Sequence, residues 1–277
     1  MNLIRIRDLA DSRLQDYANL RSRASRQYER EGFIVEGRWC VQRLLASRLA
    51  TLSLLVHETM ESEVEAWVRE ARLPEATPVY SLPPEQIQAL VGFPFHRGVL
   101  ACGARPNFDA SGKLIFQNNQ LPLALAMLGV SELENIGSMV RTAVAIGIEH
   151  LLVGPKTADP FSRRAIRVSM ATVFSPKIYQ LDQSIEELAA FEQQGIRMIA
   201  TTLDKDATPI NEFVTDQRPA ILMVGNEAQG IDPQIQEMAT DRVTIPMHGG
   251  TDSLNVAVAA AIFMHSIAGQ MLSLIHI

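Results

Sequence analysis

Three stretches of this sequence carry polar side chains of the kinds that bind substrates and handle protons. The first is Ser131-Glu132-Leu133-Glu134-Asn135-Ile136-Gly137, with Arg141 following in the same segment. The second is Gly225-Asn226-Glu227-Ala228-Gln229-Gly230, and the third runs from Ile245-Pro246-Met247-His248 through Gly249-Gly250-Thr251-Asp252 to Ser253-Leu254-Asn255. Their spacing excludes several chemistries. The second stretch has paired glycines but continues Ile231-Asp232 where a phosphate-binding loop needs Lys-Ser/Thr. No strand leads into G-x-G-x-x-G, no G-x-S-x-G elbow is present, and no His, Asp and Glu cluster has metal-ligand spacing.

Each group also has a plainer reading. Gly225 and Gly230 can be turn residues needing positive φ. Glu227 can cap a turn, Ser253 can be an N-cap, and Asn255 can sit in a first helical turn. Arg141 can be a surface arginine, Met247 and Leu254 core residues, and His96, His248 and His265 structural or solvated histidines. The functional reading gains weight because all three loops fall after strands at the same sheet edge.

The elements that must carry these loops are legible as an α/β alternation. Apolar runs at Leu123–Val130, Leu151–Gly154, Lys177–Gln180, Arg197–Thr202, Ala220–Gly225 and Arg242–Pro246 predict strands. Helices are expected over Gly137–Gly147, Pro160–Met170 (capped by Asp159), Ser184–Gln193, Pro233–Thr240 and Leu254–Leu272. Near-continuous apolar strands between helices imply a parallel sheet covered on both faces, with ligands beyond the strand carboxyl ends. Upstream, strands at Gly32–Gly37, Leu52–His57 and Gly98–Cys102 alternate with helices at Arg38–Leu49, Ser62–Ala71 and Pro83–Leu90, and residues 10–31 suggest an arginine-rich helix. The expected organisation is a smaller α/β domain over residues 1–105, a connection over 106–120, and a parallel-sheet domain over 121–272.

The sequence resembles a known family at these positions. Asn135-x-Gly137-x-x-x-Arg141-Thr142-Ala143, Gly225-Asn226-Glu227-x-x-Gly230, and Ile245-Pro246-Met247 with Ser253-Leu254-Asn255-Val256-Ala257-Val258-Ala259 look like the three motifs of the SpoU RNA 2′-O-methyltransferases of the SPOUT superfamily. Phe33-Ile34-Val35-Glu36-Gly37 and His96-Arg97-Gly98-Val99-Leu100-Ala101 resemble the ribosomal-protein-like substrate-binding domain common in that family. Where the family often has Asp-Pro ahead of the motif asparagine, this chain has Glu132-Leu133.

The resemblance implies a trefoil-knotted domain, S-adenosylmethionine as cofactor, and a homodimer whose two chains complete each active site. It places Asn135, Arg141, Glu227, Ser253 and Asn255 at catalytic and substrate-positioning positions. Thr202, Gly225, Gly230, Ile245, Met247 and Leu254 fall at or beside cofactor contacts. A methyl sulfonium donor needs no metal, so catalysis would consist of aligning a ribose 2′-oxygen and removing its proton. Apolar Ile245, Met247 and Leu254 can sandwich an adenine. A guanidinium is a poor base, since its pKa exceeds ~12. Arg141 is therefore expected to clamp a phosphate and stabilise the developing alkoxide.

Charge agrees with an RNA partner despite a net of −6. Residues 1–50 hold ten arginines against six Asp or Glu, a local +4 that leaves −10 for the other 227 residues. Arg21, Arg23, Arg26 and Arg30 concentrate that charge. Cys40 and Cys102 stand far apart, which excludes a disulfide scaffold and fits a reducing compartment. The charged start shows no signal core, and the apolar run Val256–Met264 is short for a membrane span, so a soluble cytoplasmic protein is expected. The expected function is ribose 2′-O-methylation of a structured RNA, ribosomal in preference to transfer RNA, and the rival is a non-catalytic RNA-binding or ribosome-assembly factor on the same fold.

Overall fold

A computed structural model of the protein describes residues 1–20, 32–95, 97–116 and 121–275. The first half contains β1 (Asn2–Arg5), β2 (Gly32–Glu36), α1 (Arg38–Leu45), β3 (Thr51–His57), α2 (Glu61–Glu70), β4 (Pro78–Leu82), α3 (Pro84–Val91) and β5 (Val99–Ala104). After the two-residue β6 (Asp109–Ala110) come β7 (Leu123–Leu128), α4 (Leu133–Ile146), β8 (His150–Val153), α5 (Arg163–Val168), β9 (Lys177–Gln180) and α6 (Ser184–Gln193). The chain then forms β10 (Arg197–Thr201), β11 (Thr208–Pro209), β12 (Ala220–Gly225), α7 (Pro233–Met238), β13 (Asp241–Thr244) and α8 (Val256–Ile275). These divide into two compact units, Met1–Asn107 with Asp159–Phe174, and Phe108–Ala158 with Ser175–Ile277.

The first unit is built on a five-stranded sheet of order β1-β4-β3-β5-β2. β1, β4 and β3 are parallel, and β5 runs antiparallel to both β3 and β2. The segment 10–20 is not the expected helix. It holds one 3-10 turn, Ser12–Leu14, opened by the Asp11 carboxylate accepting from the Arg13 N–H. Leu14, Tyr17 and Leu20 recur every third residue and join the core with Leu55, Leu82 and Leu100, which favours a laid-down path over a solvated helix. Residues 21–31, with Arg21, Arg23, Arg26 and Arg30, lie outside the described residues. α3 starts with Pro84 in its first turn and stops at Gly92, whose φ of 81° supplies the left-handed end.

Residues 159–174 belong to this same unit. Phe161 and Phe174 lie 5.0 and 5.5 Å from the Phe33 ring, and α5 packs on β2. Asp159 is not the cap of α5. Ser162 is, accepting from the Ala165 N–H, while the 4 % exposed Asp159 takes both guanidinium nitrogens of Arg105 at 2.6 and 2.9 Å.

The second unit is an eight-stranded sheet of order β11-β13-β10-β12-β7-β8-β9-β6, with every described pairing parallel. β7, Leu-Ala-Leu-Ala-Met-Leu, is buried at all six positions, as a central strand covered on both faces must be. Alternation sends Ala124 and Ala126 into a cluster with Leu188 and Phe191 of α6 and Ile235 of α7. α8 packs on α4 and β12. Its 20 residues exceed the short apolar run legible in the sequence, and Val256–Ser273, at mean hydropathy 1.6, is long and apolar enough to cross a bilayer by length and composition. Nevertheless, Ala260, Phe263, Met264, Ile267, Ala268 and Met271 are buried within the protein.

Candidate active site

Because the sheet is parallel, β7, β12 and β13 deliver their following loops to one edge, and the three loops singled out in the sequence occupy that edge. β12 ends at Gly225, whose backbone is so close to the next turn that an added Cβ would overlap Gly230 and Ile231. The turn is pinned by Asn226 and Gly230, which exchange two backbone hydrogen bonds of 2.9 Å. Gly230, at φ 69°, takes the left-handed conformation that glycine reaches without strain.

Glu227 projects from this turn to the start of α4. One carboxylate oxygen, Oε1, accepts from the Asn135 amide at 2.9 Å and the Glu132 N–H at 3.1 Å, and Oε2 accepts from the Ser131 N–H at 3.1 Å and its hydroxyl at 3.2 Å. Burial pushes this carboxyl up, but the bonds from Asn135 and from backbone N–H groups outweigh it and hold Glu227 below the ordinary glutamate range. An anion at the amino end of a helix also meets the favourable end of the helix dipole.

The amide orientations downstream follow from that carboxylate. Glu227 can only accept, so Asn135 turns Nδ2 toward it and leaves Oδ1 to accept from Asn255 Nδ2 at 2.9 Å. Asn255 in turn offers Oδ1 to the first amides of α8, Ala257 at 2.9 Å and Val258 at 3.3 Å. A directed chain thus runs from Glu227 through Asn135 and Asn255 to a helix start. Asn135 is buried, which fixes its rotamer.

Beside this chain is a cavity of about 600 Å³, within the ~300–1,000 Å³ of small-molecule sites. Its lining includes Thr202, Gly225, Gly230, Ile245, Met247 and Leu254, together with Glu227, Ser253 and Asn255. Ile245, Met247 and Leu254 are half-buried, so their apolar surface faces open space. Thr202 is set by its N–H bond to Val243 at 3.0 Å. Apolar side chains, a glycine backbone without side chains and hydrogen-bonding groups in one lining suit a flat heterocycle carrying a polar tail.

Of the residues the motifs single out, Arg141 stands apart. It is exposed on α4, does not line this cavity, and makes no hydrogen bond or ion pair among the described residues. Three contributors were given no role by type and spacing, although Asn226 and Ser131 lie within the stretches singled out. Asn226 braces the second loop, donating to the Gly129 carbonyl at 2.8 Å and accepting from the Ala228 N–H at 2.9 Å. Its signal was an asparagine at the start of a glycine-closed turn. Ser131 completes the carboxylate's shell, and Phe263 lines the cavity from α8, where helical spacing made it indistinguishable from core.

Mixed α/β proteins with such a parallel sheet include the SPOUT methyltransferases, to which this chain is similar in fold. Residues 122–265 match the SpoU rRNA methylase family. An uncharacterized tRNA/rRNA methyltransferase of Mycobacterium tuberculosis is 32% identical over 92% of this chain and 88% of its own length. The 23S rRNA (guanosine(2553)-2′-O)-methyltransferase of Bacillus subtilis is 27% identical over 95% of this chain and 99% of its own. In fold, an AdoMet-bound rRNA methyltransferase of Sinorhizobium meliloti superposes with a TM-score of 0.83 at 21% identity, covering 98% of each chain. The chain belongs to the SpoU family of RNA methyltransferases, enzymes that use S-adenosylmethionine.

Proposed function

We propose that this protein methylates a ribose 2′-hydroxyl of a structured RNA, ribosomal in preference to transfer RNA, with S-adenosylmethionine bound in the loop-edge cavity. The observation that carries the reading is the Glu227–Asn135–Asn255 chain, whose two ends line the cavity, a set of oriented polar groups beside an apolar pocket. The residues present fit that cofactor. Ile245, Met247 and Leu254 would hold its adenine, Gly225 and Gly230 would admit it against the backbone, and Thr202 would flank it. When bound, it supplies an activated methyl group that needs no metal.

The chain's own groups do the rest. Glu227 has its oxygens occupied by N–H and O–H donors and its affinity for a proton lowered, so it serves as the anchor of the amide chain and not as the base. Asn135 and Asn255, with polarity set by that anchor, position the substrate hydroxyl, and Ser253 lines the same cavity as Asn255. Arg141 clamps the neighbouring phosphate and stabilises the alkoxide. Its position outside its own chain's cavity supports a homodimer in which it serves the partner's site. The exposed side chains Val258, Ile262 and Leu272, on one face of α8, provide an apolar stripe for that pairing. The family's trefoil knot belongs to this reading, as does a cytoplasmic location, where the RNA is.

Preference for ribosomal RNA rests on the resemblance of residues 33–37 and 96–101 to the family's ribosomal-protein-like substrate-binding domain, and on the near full-length match to the Bacillus subtilis relative. The test is methyl transfer from labelled S-adenosylmethionine to total RNA of cells lacking the enzyme, followed by mapping. Label in one ribose of ribosomal RNA is the expected result. Label in transfer RNA overturns the preference, and label in a base overturns the reaction.

A further inference from the structure

The amino-terminal unit carries a second cavity, of about 670 Å³, far in sequence from the methyltransferase loops and lined in part by Arg38, Trp39, Arg97 and Met170. Trp39 is 72% exposed on the first turn of α1, an unusual surface position for a large apolar ring. The same helix buries Cys40, Val41, Leu44 and Leu45, so Trp39 lies on its outer side, with Arg43 four residues on.

The charge around this ring is positive and incompletely neutralised. Arg97 and Arg38 have side chains 50% and 56% exposed. Glu36 is closely paired with Arg163 at 2.6 Å and reaches Arg97 only at 3.7 Å. Arg38 meets the half-exposed Glu63 at 3.2 Å, and Arg43 is held by the Met170 carbonyl at 2.5 Å. Gly37 makes the arrangement possible, since a Cβ there would come within 3.0 Å of the Arg97 side chain. A protein with a net charge of −6 therefore presents a compact set of arginines around an exposed indole.

We infer that this cavity is a docking site for an unpaired nucleotide of the RNA substrate, with the base stacked on Trp39 and adjoining phosphates on Arg38 and Arg97. The inference rests on the RNA-methyltransferase reading for the identity of the RNA, but its chemistry is independent of methyl transfer. Single-stranded RNA offers a π-face for stacking and phosphates for guanidinium groups, whereas duplex RNA hides its base faces. Charge complementarity favours this occupant over a protein segment, which would need an apolar surround.

The test uses the full chain carrying Trp67→Phe, which leaves Trp39 as the sole tryptophan, titrated with a single-stranded 12-mer oligouridylate. Quenching of Trp39 fluorescence on binding is expected. Trp39→Ala should weaken the oligonucleotide by about tenfold or more, with Trp39→Phe restoring much of the loss. Arg97→Ala should reduce the slope of log affinity against log salt by ~0.7 per lost phosphate contact. S-adenosylmethionine binding and the urea midpoint should be unchanged in all of these variants, which shows that both units fold. Unquenched fluorescence, or equal affinity in Trp39→Ala, overturns the docking site whether or not methylation is seen. A Trp39→Ala variant that binds RNA normally but sediments differently overturns it in favour of a protein contact. Quenching in a protein that methylates no RNA sustains the docking site while the proposed reaction fails.

Discussion

Asn255, at the start of α8, donates its side-chain amide to Asn135 of α4 at 2.9 Å across 120 residues of sequence. The bond joins the first and third loops, and Glu227 of the second loop closes the set at 2.9 Å from the same asparagine. The three segments are thus one hydrogen-bonded unit, whose polarity is dictated by a carboxylate that can only accept.

Replacing that carboxylate by an amide reverses the polarity locally. Glu227→Gln would bring an amide nitrogen toward donors, and Asn135 and Asn255 would turn or separate. Methyl transfer should fall by about 10²-fold, the scale of misplacing a reacting group by roughly an ångström, while calorimetric cofactor affinity changes little. Retained activity would show that the chain's direction is immaterial.

The pH dependence distinguishes an anchor from a base. Glu227 has its folded-state pKa lowered, so the stability it contributes is present above the unfolded carboxylate range and is lost as pH falls through its lower folded value. Activity should show no limb from this group between about pH 5 and 8. An acid limb near neutrality that disappears in Glu227→Gln would make it the proton acceptor instead.

The cavity and Arg141 should separate genetically. Leu254→Asp places a charge on an apolar wall and should weaken S-adenosylmethionine by about 100-fold or more. Arg141→Ala should bind it nearly normally yet methylate nothing. If the dimer shares its sites, mixing the two inactive proteins regenerates activity in heterodimers, measured as labelled RNA. Mixtures that stay inactive would confine Arg141 to its own chain.

Gly225→Ala tests the close turn. The added methyl overlaps the backbone of Gly230 and Ile231, so the loop must shift. Cofactor affinity should drop by roughly tenfold or more, at a stability cost of about 1–3 kcal/mol in urea titration.

In the amino-terminal unit, Asp159→Ala would remove the two-oxygen carboxylate partner of Arg105, a side chain only 14% exposed. Breaking a buried pair from one side costs about 3 kcal/mol, readable as a lower urea midpoint at unchanged slope. Wild-type stability in this variant would show that the pair is solvated.

By itself the sequence determined most of the helices and strands, because their patterns are local. The six buried residues of β7 announce a two-sided central strand, and Pro84 and Gly92 mark the two ends of α3. It also singled out the three loops that the structure joins by hydrogen bonds and that are proposed to carry the chemistry, since Asn135, Glu227 and Asn255 are odd residues to find after apolar strands. β1 was hidden because a charged, half-exposed strand beside a single neighbour has little apolar pattern, and β4 because it opens on a proline. The tertiary structure alone decided that residues 10–20 lie flat on Leu14, Tyr17 and Leu20, and that 159–174 pack through Phe161 and Phe174 onto Phe33. It alone decided that Asn135 bridges Glu227 and Asn255 while Arg141 of the same helix stands outside their cavity. Strand order and side-chain partnerships form between residues tens to hundreds of positions apart, and no local period records them.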